Sequence, residues 1–124
     1  MKIKFRAWDK YTSKMLEQEK GISGSNSFIS FLDFYYDNSE DRNFESVIND
    51  LIIMQFTGLV DKNGKEIYEG DLIKTPDNRI LPVIFKEGCF GFENNLENKQ
   101  FAYFTKALAS AIEVVGIYIL NKTN

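Results

Sequence analysis

The chain has 124 residues, a net charge of -3, no histidine, one cysteine and 15% aromatic residues, dominated by 11 Phe and 6 Tyr. Without His there is no Ser-His-Asp or Cys-His nucleophile system, no His general base and no His-bearing zinc site, and Cys89 alone makes no internal disulfide. The apolar runs fall short of the ~18–20 residues of a membrane span, the N-terminus lacks a signal-peptide apolar core, and the expected setting is a cytosol without cofactor or metal.

Met1–Trp8 alternates: Ile3, Phe5 and Ala7 on one strand face, Lys2, Lys4, Arg6 and Trp8 on the other. Asp9–Ser13 reads as a turn and Lys14–Gln18 as the strand that closes a hairpin. Gly21–Ser27 reads as a flexible linker, and Asp37–Asn43 as an acidic loop. Phe28–Tyr36 fits helical and strand spacing equally well. Phe44, Val47, Ile48 and Leu51 recur at the spacing of a short amphipathic helix.

Leu51–Thr57 is a strand that Gly58 is expected to end. Asn63-Gly64 predicts a type I′ turn, Glu69-Gly70-Asp71 a second turn and Pro76-Asp77-Asn78 a third. Between and after them lie Leu72-Ile73, Ile80–Phe85 and Gly88–Phe92, with Pro82 expected at a sheet edge because it has no N–H to donate. Asn94–Lys99 is polar and reads as exposed, Phe101–Ala111 predicts a short helix or helical turn, and Glu113–Leu120 a β-branched closing strand. Short strands separated by turns read as a small barrel or sandwich. The fold class is thus mainly β with minor α. Both terminal strands are expected in one core with the Gln55–Ile73 region.

Lys4–Lys10, FRAWD within it, followed by Lys14-Met15, resembles the opening of the YopX-like family of bacteriophage and prophage proteins. Met54–Leu59 and Asp61–Asp71 resemble its central motif, and Glu113-Val114-Val115-Gly116 with Ile117-Tyr118 resembles its ending. One departure is that Ile117 follows Gly116 directly, where family endings carry a residue between. The resemblance implies an SH3-like β-barrel over residues 51–120, with strands of residues 1–20 and a short helix packed on it and a variable insert at 21–50. It implies no active site.

Four groups of residues carry the functional candidates. Lys2, Lys4, Arg6 and Trp8 form a basic-aromatic strand face that could stack and pair with single-stranded nucleic acid, although a solvated face is the ordinary reading and the chain is acidic. Residues 1–20 hold six Lys/Arg against three acids, and residues 33–50 six acids against Arg42, a polarity that could dock segments or protomers but is common on solvated faces. Asp61, Glu66, Glu69 and Asp71 lack Ca²⁺-loop spacing, and the structural reading makes Asn63, Gly64, Gly70 and Asp71 turn formers, with positive φ at both glycines. Cys89 has no activating neighbour in sequence and reads as a small hydrophobe. The expectation is therefore a non-enzymatic phage accessory protein in the host bacterial cytoplasm. It would act through self-association or an unknown protein partner, and a nucleic-acid-associated barrel is the alternative.

Overall fold

In the computed structural model, residues 4–17, 42–93 and 101–118 are described. The expectations for Lys2, Ile3, Gly21–Ser27, Phe28–Tyr36, most of Asp37–Asn43, Asn94–Lys99 and residues after Tyr118 fall outside them. Among the described residues twelve elements follow in order: β1 (Phe5–Asp9), β2 (Lys14–Glu17), α1 (Phe44–Asp50), β3 (Leu51–Val60), β4 (Glu66–Tyr68), β5 (Asp71–Lys74), β6 (Ile80–Pro82), β7 (Ile84–Lys86), β8 (Cys89–Glu93), β9 (Phe101–Tyr103), α2 (Lys106–Ala109) and β10 (Glu113–Ile117). The protein is mainly β. Its chain divides into two units, Lys2–Gln55 and Phe56–Asn124.

In the first unit β1 lies between β2 and the leading half of β3, antiparallel to both, with Ala7 opposite Leu16 and Ile53. Alternation puts Ala7 and Asp9 on the same side of β1, and both are buried. Helix α1 starts where the Asn43 side chain accepts the Ser46 N–H at 2.8 Å, a cap that satisfies one of the orphan donors of the first turn. Its apolar stripe delivers Val47 into a cluster with Ala7 and Leu51, against which Leu16 packs. Burial of Val47 contributes about 1.5–3 kcal/mol. Phe44, at the head of the same stripe, stays nearly half exposed.

Strand β3 continues past Gly58, against the expectation that this glycine ends it. Gly58 has φ +88° and sits in a register shift between Phe56, opposite Tyr68, and Val60, opposite Glu66. A bulge absorbs the glycine. Thr57 Oγ1 donates to the Ile67 carbonyl at 2.7 Å and accepts the Leu59 N–H at 3.2 Å, occupying groups the shifted ladder leaves over.

In the second unit β5 pairs with β10 on one side and β6 on the other, and β8 pairs with β7 and β9. Pro82 ends the outer strand β6 opposite Leu72, so its missing N–H costs the ladder nothing. The expected strand Ile80–Phe85 is two strands in different sheets, separated at the fully buried Val83. Phe101–Ala111 likewise divides. Phe101–Tyr103 pairs with β8, and the helix begins only after Thr105, whose hydroxyl accepts the Leu108 N–H at 3.0 Å. Cross-strand pairing outweighs local helical spacing here. The core of this unit is Ile67, Ile73, Leu81, Val83, Phe92, Ala109, Ile112 and Val114. Among the described residues, Ala7 belongs to the apolar cluster of the first unit and Val114 to that of the second.

Candidate interaction surface

On strand β1, one member of the basic-aromatic face expected from sequence, Arg6, is turned away from solvent. Arg6 is only 6% exposed, and its guanidinium lies 3.7 Å from the sulfur of Met54, its register partner on β3. Lys4 and Trp8 are half-buried, and Lys2 lies outside the described residues. Arginine stems cover apolar surface readily, which is how a cation on an interior strand comes to be enclosed.

Sequence reasoning missed the charge centre beside it. The Asp9 carboxylate is fully buried and accepts the Tyr11 N–H at 2.9 Å. Arg42 donates to Asp9 Oδ2 at 2.8 Å and Oδ1 at 3.3 Å, and to Asp50 Oδ2 at 2.9 Å. The Tyr11 ring lies 4.6 Å from the same guanidinium. Thus the lone cation of the acidic stretch pairs with an acid of the basic stretch. The available signal was that each is the minority charge of its segment.

The acids of the central motif hold backbone. Asp61 Oδ1 accepts the N–H groups of Asn63 at 2.8 Å and Lys65 at 2.9 Å, and Oδ2 accepts that of Val114 at 2.9 Å. Burial pushes its carboxyl up, but those three donors and the Lys65 charge outweigh it and hold Asp61 below the usual carboxylate range. Asp71 Oδ2 accepts the Tyr68 N–H at 2.8 Å across a turn in which Gly70 has φ +90°. Gly70 N donates to Val83 O at 3.0 Å, and its carbonyl accepts the Tyr118 N–H at 2.6 Å.

At Asn63-Gly64 the turn differs from the type I′ expectation. Positive φ falls on Gly64 (+82°) and not on Asn63, Asp61 O accepts Gly64 N–H at 3.0 Å, and Asp61 N donates to Lys65 O at 2.8 Å. This is a type I turn closed by a glycine bulge. Thr75–Arg79 repeats the pattern with Asn78 at φ +68°.

An aromatic surface remains on the sheet of β7, β8 and β9. Ile84 lies opposite Gly91, and Gly91 opposite Tyr103, with Phe101 one pleat further along β9. The Phe101 and Tyr103 rings meet edge to face at 5.3 Å, and Tyr103 is 59% exposed. Gly91 makes this packing possible: a Cβ there would lie 2.1 Å from the Ala102 carbonyl oxygen and 2.6 Å from the Phe101 ring. Phe85 and Phe90 pair on the other side of the sheet, where Phe92 enters the core. Lys86 and the half-buried Cys89 end the aromatic side at one extreme, and Glu93 ends it at the other.

Among the described residues, no group of three or more Cys, Asp or Glu side chains is disposed to hold a metal ion. None of their helices is long and apolar enough to cross a membrane.

Comparison with known proteins adds lineage. Among solved structures, the chain is similar to protein EF1440 from Enterococcus faecalis, with 26% identity and a TM-score of 0.58 over 98% of this chain and 96% of that one. It is also similar to protein yopX from Bacillus subtilis, with 18% identity and a TM-score of 0.52 over 95% and 94% of the two chains, a likeness of fold alone. No curated protein matches the sequence. The family model described as YopX protein matches residues 4–118, so this chain belongs to the YopX protein family.

Proposed function

We propose that this YopX-family chain is a non-enzymatic phage or prophage accessory protein of the host bacterial cytoplasm, working through protein contacts from an SH3-like barrel in its second half. The observation that carries the reading is the outward aromatic side of the β7–β8–β9 sheet, where Tyr103 is largely exposed beside Phe101. Exposed aromatics of this kind offer a large, rigid contact area at low entropic cost and are enriched at protein interfaces. Two acids of the central motif support it too, because Asp61 and Asp71 are engaged by backbone N–H donors. Short strands with bulged turns around the core of the second unit suit a small barrel.

Nucleic-acid binding through the N-terminal strand is the weaker reading, because Arg6 is enclosed beside Met54. The test is a fluorescence-anisotropy titration with short single-stranded RNA and DNA at low and moderate salt, beside capture of protein partners from nuclease-treated lysate. Protein recovered without salt-sensitive oligonucleotide binding agrees with the proposal. Oligonucleotide binding that falls with salt and is lost in Trp8→Ala overturns it.

A further inference from the structure

We infer that the aromatic side of the β7–β8–β9 sheet is a two-fold contact with a second copy of this chain, an inference that rests on the protein-contact reading above. The argument is the placement of charge around the apolar centre. Ile84, Gly91 and Tyr103 form one row across the three strands. Lys86 lies on the same side of the sheet one pleat toward one end, opposite Cys89. Glu93 lies one pleat toward the other end, opposite Phe101. A two-fold axis along the central row, perpendicular to the strands, exchanges the two ends. It sets Tyr103 against Tyr103 of the second copy and each Lys86 beside Glu93 of the other. Such an isologous contact needs a surface that is complementary to itself, which one cation and one acid on opposite sides of an apolar row provide. An unrelated partner with a single sign of charge would meet one of them favourably and the other unfavourably.

The middle of the surface is also shaped for close approach. Gly91 adds no side chain to the central row, and the Phe101 ring lies over it. Two such sheets can meet at about 10 Å, with Tyr103 facing Tyr103 and Ile84 facing Ile84 across the axis.

The full chain is examined by sedimentation across the micromolar range, with circular dichroism to verify the fold of each variant. The wild type is expected to show a monomer–dimer equilibrium. Lys86→Glu and Glu93→Lys are each expected to weaken it roughly tenfold or more, since every substitution removes two pairs and creates two repulsions in a symmetric contact. An equimolar mixture of the two variants should recover wild-type association, because both cross-copy pairs are then opposite in sign. Dimers that both variants leave intact, or variants that mixing fails to rescue, overturn the assignment of this surface. A chain that stays monomeric throughout overturns it as well. If that monomer still captures another protein from lysate, the broader protein-contact reading stands while this inference fails.

Discussion

The Val114 N–H donates to Asp61 Oδ2 at 2.9 Å, joining the first turn of the central motif to the closing strand 53 residues later. Lys62 N, next in the turn, donates to Ile112 O at 3.0 Å. A loop tip that would otherwise be local is thus fastened to the core strand carrying Val114. Closing so long a loop costs entropy that only buried, well-satisfied contacts offset.

Asp61→Ala should therefore destabilise the protein by on the order of 3 kcal/mol, because three backbone donors lose an ionised acceptor together. Asp61→Asn should also lose pH dependence. The folded-state carboxyl is held below its unfolded value, so its contribution is complete above about pH 4 and is lost as pH falls through the depressed value. Urea melts over a pH series should show wild type and Asp61→Asn converging at low pH. Parallel curves across the whole series would show that the charge is not what matters.

Two glycines should fail for different reasons. At Gly64 a Cβ meets nothing within 4 Å, and only φ +82° opposes substitution, so Gly64→Ala should cost about 1 kcal/mol. At Gly91 a Cβ overlaps the Ala102 carbonyl, so Gly91→Ala should cost roughly 3 kcal/mol through displaced strands. Thermal melts of the two variants should rank them in that order. Equal midpoints would remove the close approach of β8 and β9 from the account.

Arg42→Ala leaves the buried Asp9 carboxylate without its bidentate donor and should cost about 3 kcal/mol or more. Asp50→Asn should cost under about 1 kcal/mol, since that side chain is a third exposed and is replaced by a neutral acceptor. Amide hydrogen exchange should lose protection in β1 and β2 for Arg42→Ala and retain it for Asp50→Asn. Unchanged protection in Arg42→Ala would mean that the ion pairs are ornamental.

How legible all this was in the sequence depended on the range of the forces involved. The turn at Gly70, the edge position of Pro82 and the helix beginning at Phe44 were read correctly, because local φ demands, a missing donor and a capped apolar stripe act within a few residues. Where tertiary pairing decides, the local signal misled. Gly58 looked like a strand end and is a bulge, and Phe101–Tyr103 looked helical and pairs with β8. Arg6 looked solvent-facing from alternation alone, since alternation says which residues share a side and not what covers that side. The Asp9–Arg42 pair spans 33 residues and the Asp61–Val114 bond 53, separations that no periodicity encodes.

The central claim is that this protein works through its exposed aromatic sheet surface by binding protein. The most direct measurement co-expresses a tagged and an untagged copy in host cells and recovers the tagged chain from nuclease-treated lysate, as wild type and as Tyr103→Glu. The account predicts near-stoichiometric protein with the wild-type chain, whether the untagged copy or another polypeptide, and its loss with Tyr103→Glu while Trp8→Ala retains it. Recovery indifferent to Tyr103 but abolished by nuclease or by Trp8→Ala would contradict it.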